Sequence, residues 1–221
     1  MTIKLMMFGR RSPGQTLAEH RHHMKDVHGR IVLDYIAADP QNAPRKYAQN
    51  HGLDAVFAAD DTAPAALRLG LDFVTQLWFE DIGSVKASRE TPFYNERLRP
   101  DEPRFVDNAN VVGQPFSEER VREPASAAAD LKLFVVRPAG AAAVDLVDRI
   151  ASSDVVYSGY CRNMAVTPGP IAVVDEFWTH EEAEAARLLH HCRQALETGE
   201  TEGGRSAAYL IAREYRLFAG R

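Results

Sequence analysis

The chain has 221 residues, 45% hydrophobic and 26% charged, the balance of a globular protein that buries a core as one large domain or two small ones. A formal net charge of -5 without any run of Lys or Arg argues against a nucleic-acid-binding surface. No apolar stretch approaches membrane-spanning length, and the two cysteines, Cys161 and Cys192, cannot form a disulfide framework, so a cytoplasmic protein with no nucleic-acid or membrane partner is expected.

Residues 3–8 form a β-rich run, too short for the hydrophobic part of a signal peptide, and bounded by the turn signal Ser12-Pro13-Gly14. Thr16-Leu17-Ala18-Glu19 is a capping box that predicts a helix start. Gly29 predicts a stop or kink near Val27-His28, with further helical turns over 31–38. A strand is predicted over 45–51, a loop or loosely helical excursion over 52–69, a strong strand over 71–79 and a helix over 81–88. Pro92, Pro100 and Pro103 break the next segment before a strand near 110–114, and residues 123–129 read as a linker.

The second half then starts over. Leu131-Lys132-Leu133-Phe134-Val135 echoes Ile3-Lys4-Leu5-Met6-Met7, and Val174-Asp175-Glu176-Phe177-Trp178 echoes Val74-Thr75-Gln76-Leu77-Trp78. This predicts a degenerate duplication of a βαββαβ unit, the ferredoxin-like arrangement with helices on one sheet face. In the 71–79 strand Phe73, Leu77 and Phe79 fall on one face, suited to lie under helices. Val74, Gln76 and Trp78 fall on the other, a mixture that suits the wall of a cavity shared by two sheets; Val174, Glu176 and Trp178 would supply the matching wall.

Several of these segments together resemble the EthD domain family: Ile3-Lys4-Leu5 before a Pro-Gly turn, a helix ending in Val27-His28-Gly29, Arg45-Lys46-Tyr47-Ala48-Gln49-Asn50-His51, Leu77-Trp78-Phe79, and Asp101-Glu102-Pro103-Arg104-Phe105-Val106-Asp107. The resemblance covers the first half; the second resembles the wider dimeric α+β barrel superfamily in pattern only. It implies an α+β fold in which two tandem ferredoxin-like units, residues 1–122 (EthD-like) and 130–221 (degenerate), form a dimeric α+β barrel with a central cavity. Relatives include a lactone isomerase, fungal polyketide dehydratases and cofactor-free oxygenases, chemistries among which the fold does not choose. In the isomerase branch a histidine at the end of the first helix moves protons, and the matching position is His28. That branch also uses a cysteine with no counterpart here.

His28 is therefore the first catalytic candidate. It lies beside the apolar stripe Leu17, Met24, Val27 and Ile31, where an imidazole can move protons near neutrality; without the resemblance it would read as a histidine satisfied by a backbone carbonyl. His51, Tyr47 and Gln49 share one strand face, with Asn50 on the other. If that face lines the cavity, His51 is a second acid/base opposite His28 and Tyr47 a proton donor. Gln49, Gln76, Trp78, Glu176 and Trp178 are the candidate substrate-binding residues. Stacking on the tryptophans competes with ordinary core packing.

His20, His22 and His23 invite a metal reading, as do His190 and His191, but neither set has the i, i+4 spacing of a helical metal site, and His22 and His23 point away from the stripe on an α-helical wheel. No metal and no cofactor is expected, haem included. Cys161 and Cys192 read as small buried residues, and no Ser-His-Asp arrangement, phosphate loop or GxGxxG is present. The expected function is a cofactor-independent enzyme that acts on a small cyclic or aromatic oxygenated compound by histidine-mediated proton transfer, as an isomerase, dehydratase (lyase) or oxidoreductase. The alternative is a non-catalytic small-molecule-binding accessory protein; a purely structural protein with a filled barrel is a third possibility. An exposed sheet face of Val, Gln and Trp would need covering, so a homodimer is the expected assembly unless the barrel closes within one chain.

Overall fold

The computed structural model describes residues 2–57, 63, 65–124, 130–140, 144–151, 154–197 and 207–220. Its strands are β1 (Ile3–Gly9), β2 (Lys46–Val56), β3 (Phe73–Phe79), β4 (Val112–Arg122), β5 (Leu131–Pro138), β6 (Gly159–Ala165), β7 (Ile171–Thr179) and β8 (Ala208–Phe218). They close into one barrel in the order β1-β3-β2-β8-β5-β7-β6-β4, with every pairing antiparallel. Within the first four strands the order is β4-β1-β3-β2, and the last four repeat it as β8-β5-β7-β6. The seams β2–β8 and β4–β6 join the halves, so closure occurs inside one chain. The sheet face that seemed to need a second copy is covered here by the chain's own other half. Residues 125–129 of the expected linker lie outside the described residues.

The strand expectations hold at the centres and fall short at the ends: β2 continues past Gly52 to Val56, and β4 runs to Arg122 rather than ending near Gln114. Thr16 caps α1 (Leu17–His22) with both hydrogen bonds of the capping box. Gly29 is not a stop. A π-helical turn over His23–His28 leads straight into α2 (Gly29–Ala38), and Gly29 keeps helical φ -55°. A side chain there would lie 3.1 Å from Leu217 Cδ1 and 3.3 Å from Gln49 Nε2, so this glycine lets the helix press onto β2 and β8. The first half is completed by α3 (Ala65–Leu69) and α4 (Ile82–Glu90), the second by α5 (Leu146–Ile150) and α6 (Glu182–Glu197). Among the described residues no helix is long and apolar enough to cross a membrane.

Alternation along each strand divides the molecule into an inside and an outside. At one end the barrel is filled by Met6, Phe8, Val74, Phe116, Phe134 and Leu210, all fully buried. At the other end the interior is charged. Lys4 Nζ lies 2.8 Å from Glu176 Oε1 and also pairs with Glu118, while Lys132 Nζ lies 3.0 Å from Glu176 Oε2 and 2.6 Å from Glu214. Burial alone would push the Lys4 ammonium down, but Glu176, Cys161 and Glu118 outweigh it and hold its pKa above the ordinary lysine value. For Glu176, burial is outweighed by Lys132 and Lys4, and its carboxyl stays well below the usual range.

The duplication is written into this network. Asn50 Nδ2 donates to Val74 O (2.9 Å) and Gln76 Oε1 (3.1 Å); Asn163 Nδ2 donates to Val174 O (3.0 Å) and Glu176 Oε1 (2.8 Å). Trp78 Nε1 donates to Glu118 at 3.2 Å, and Trp178 Nε1 to Glu214 at 3.3 Å. Arg120 and Arg216 then hold Glu118 and Glu214 at 2.9 and 2.7 Å. The symmetry breaks at Gln76 and Glu176, and the charged member serves both lysines. Removing one member of a buried ion cluster strands the others. Glu176→Gln is therefore expected to cost roughly 3–5 kcal/mol of stability, read as a lowered urea-denaturation midpoint; an unchanged midpoint would show that Glu176 does not hold the barrel together.

Candidate functional site

The outer faces of the two halves are covered differently. Over β5, β7 and β8 the helices α5 and α6 pack tightly, with Leu133, Phe177 and Ile211 buried against Leu146, Leu188 and Cys192. The corresponding helix in the first half, α4, has 9 residues against 16 in α6. It leaves the outer face of β1 and β3 partly uncovered, and a π-helical turn at Tyr94–Leu98 and a short 3-10 turn at Glu102–Arg104 wall the remaining space. The result is a cavity of about 390 Å³ between sheet and helices, in the size range of small-molecule sites. Leu5, Met7, Phe73, Thr75 and Leu77 form its floor; Met24, His28, Val32 and Tyr35 line it from the helix.

His28 presents an imidazole to this cavity, held by a carboxylate behind it. Its Nδ1 lies 3.0 Å from Asp101 Oδ2, and its ring packs on Phe105 at 4.7 Å between centroids. Asp101 is buried and also meets His23 Nε2 at 3.0 Å. Burial would raise the Asp101 pKa, but hydrogen bonds from His28 and His23 outweigh it and keep the carboxyl below its usual value. The π-helical turn makes this arrangement possible. Hydrogen bonds of the i→i+5 kind, here Gly29 N–H to Met24 O, stack residues five apart. His23 and His28 thus reach the same carboxylate, whereas an α-helical wheel sends His23 away from the stripe. With Nδ1–H donated to Asp101, Nε2 is the ring nitrogen left to act on a ligand.

Tyr47 also lines the cavity, from β2. Gln49 Nε2 donates to the Tyr47 hydroxyl and, at 2.6 Å, to Met24 O; Gln49 Oε1 lies 3.0 Å from His51 Nε2. The chain runs from His51 through Gln49 to Tyr47, which leaves the phenolic proton free to donate elsewhere. Burial holds the Tyr47 hydroxyl well above its ordinary pKa, so it stays a donor. His51 and Gln49 are buried and do not line the cavity. His51 is therefore not opposite His28 across an open space; it stands two hydrogen bonds behind Tyr47, through Gln49, and edge-on to Tyr215 at 4.8 Å. Burial, then His20, Arg21 and Lys25, push the His51 pKa down to about 4.

The other expected ligand contacts are elsewhere. Trp78, Glu176 and Trp178 line a separate cavity at the charged end of the barrel, on the opposite sheet face from His28. Gln76 is buried beneath it, accepting from Lys132 at 3.0 Å and from Asn50. The histidines and tryptophans thus cannot act on one molecule, because adjacent strand positions point to opposite sides of the barrel wall. Of the histidines weighed for a metal, His20 is buried with Nδ1 2.8 Å from Phe105 O, His22 pairs with Asp26 at the surface, and His190 is exposed on α6. Cys161 and Cys192 are buried, and burial raises both thiol pKa values.

Sequence reasoning passed over Asp101 as a functional residue, although it opens the 101–107 segment that carried part of the resemblance. It also passed over the Tyr94 hydroxyl, which donates to Glu102 at 2.9 Å on the cavity wall.

Residues 12–109 match the family model of the EthD domain, a segment that holds His28, Tyr47 and Asp101. Among solved structures, an anthrone oxidase-like protein is similar at 7% identity and a TM-score of 0.51, with 98% of this chain and 93% of that one covered. A provisionally assigned monooxygenase from Fusobacterium nucleatum is similar at 5% identity and a TM-score of 0.54, over 99% and 95%. A chlorite dismutase variant from Candidatus Nitrospira defluvii, in complex with cyanide, gives 7% identity and 0.51 over 98% and 91%. At such identities the likeness is one of fold.

Because His51 is neutral when buried, folding resists its protonation. Above the ordinary histidine value of 6.5 no penalty applies; as pH falls from 6.5 to about 4, stability is lost, up to about 3 kcal/mol. The difference in unfolding free energy between pH 7 and pH 4 is expected to shrink by that order in His51→Gln, and an identical pH slope in the two proteins would contradict it.

Proposed function

We propose that this chain, which carries an EthD domain at residues 12–109, is an enzyme that moves a proton on a small cyclic or aromatic oxygenated compound bound between the first-half sheet and its helices. The observation that carries this reading is His28: one ring nitrogen fixed by a buried, ionised Asp101 and its ring lining a cavity of about 390 Å³. A histidine so oriented is a general base, and the carboxylate stabilises the imidazolium that forms when it takes a proton.

The step that fits is abstraction of a proton from carbon next to a carbonyl. His28 Nε2 receives the proton and the electron pair of the C–H bond moves into the carbonyl, which becomes an enolate. The enolate oxygen is met by the Tyr47 hydroxyl, whose own lone pair is engaged by Gln49 and whose proton is free. Such a donor acts most strongly where charge develops in the transition state. The apolar floor of Leu5, Met7 and Phe73 suits a ring and excludes water from the enolate. Isomerisation, dehydration and cofactor-free oxidation all begin from this step, so the site supports the class of chemistry ahead of any one outcome. His51 and Gln49 act as positioning residues through Tyr47, and His23 as one through Asp101.

A panel of lactones, cyclic ketones, anthrones and phenols in deuterated water tests this by NMR. A substrate is expected to exchange its carbon-bound proton only with the wild-type protein. His28→Ala should abolish exchange with the fold intact, and Asp101→Asn should slow it roughly 10²–10⁴-fold. Undiminished exchange in His28→Ala would remove His28 from the mechanism. A panel member that binds the cavity without exchange would favour a binding protein.

A further inference from the structure

We infer that the charged end of the barrel is a second ligand site, separate from the His28 cavity, that takes a small aromatic carboxylate. A cavity of about 310 Å³ opens there. Its floor is Lys4, Lys132 and Glu176, its walls carry Trp78 and Trp178, and Lys46 and Glu123 stand at its rim. Nothing in the barrel fold demands this chemistry. The opposite end of the same barrel is closed by packed apolar side chains, and buried ion clusters are seldom more stable than the hydrophobic packing that could replace them. A charged, hollow end is instead what a polar ligand requires: fixed charges, already desolvated, that need no rearrangement on binding.

The sign of the ligand follows from the pairing. Glu118, Glu176 and Glu214 are held by Lys4, Lys132, Arg120 and Arg216, and Glu123 by Arg120 at 3.1 Å. Lys46, by contrast, lines the cavity with no carboxylate partner among the described residues. An anionic group is what this ammonium lacks. The three carboxylates that line the same space, Glu123, Glu176 and Glu214, oppose a second negative charge on the ligand, which favours a carboxylate over a phosphate dianion. Trp78 and Trp178, whose rings carry Lys4 at 5.1 Å and Lys132 at 4.4 Å, supply with Phe218 the aromatic surface beside these cations on which a ring can pack.

The site brings its own reporter, since Trp78 and Trp178 are the two tryptophans of the whole chain. Tryptophan emission of the full-length protein is titrated with benzoate and with its neutral counterpart benzamide. Benzoate is expected to give a saturable change, with benzamide weaker by about tenfold or more. Lys46→Met should weaken benzoate by roughly threefold and Glu123→Gln should tighten it by a similar factor; both are rim positions whose replacement leaves the core intact. The inference is overturned by any of three results: no saturable emission change, equal affinity for benzoate and benzamide, or a benzoate affinity that neither substitution moves. His28→Ala separates this site from the other cavity and should leave the emission titration as it is in the wild type.

Discussion

Everything in this molecule follows from the two seams, β2 against β8 and β4 against β6, that close one chain's eight strands into a ring. A closed sheet has no free edge, and every strand residue must face either the interior or the helices. Once the ring closes, Lys4 and Trp78 are inside while Leu5 and Leu77 are outside, with no intermediate choice. The two cavities are products of that division. One lies inside the ring at its charged end; the other lies outside, where α4 is too short to cover the first-half sheet.

The halves share a plan and diverge where function would need them to. Inside the ring the plan is preserved almost atom for atom, since Asn50 and Asn163, Trp78 and Trp178, Glu118 and Glu214 make the same contacts in each half. Outside the ring it is not. The second half fills its helix–sheet interface with the side chains of a 16-residue helix. There, burial of Asp175 beside Arg137 and Tyr160 provides a polar tie rather than a cavity. The first half inserts a π-helical turn and two short turns and keeps its interface open. One half fills its helix–sheet interface; the other keeps a cavity that His28 lines.

The fold was legible because its signals are local and periodic. Period-two alternation in 71–79 places Phe73, Leu77 and Phe79 under the helices and Val74, Gln76 and Trp78 inside the ring, and the echo of Lys4-Trp78 in Lys132-Trp178 marks the repeat. The site was legible only in part. His28 and Tyr47 do share a cavity, but Trp78 and Trp178 lie on the other side of the wall, because a residue's face tells which layer it enters and not which partner it meets there. His23 was misdirected for a sharper reason: the wheel assumes 3.6 residues per turn, and His23–His28 follows the i→i+5 pattern instead. No residue type announces a π-helical turn in advance. Asp101 was hidden by distance, 73 positions along the chain from the imidazole it holds.

Tyr47 belongs to both worlds, and this constrains how the two cavities relate. It lines the outer cavity and also borders the barrel mouth. The β2–β8 pairing slips at this position: Tyr47 stands opposite Phe218 and Ala48 opposite Arg216, so Leu217 is the extra residue of a bulge. A bulge bends its strand and re-aims the side chains around it. Here it sets Tyr47 and Gln49 beneath the helix that carries His28, while Lys46, one step before, turns its stem against Gly220 at the barrel mouth. A substitution that removes the irregularity would therefore shift the donor of one cavity and the rim of the other together. Of the four register shifts among the described residues of the ring, this is the one that ties the wall of the outer cavity to the rim of the inner one.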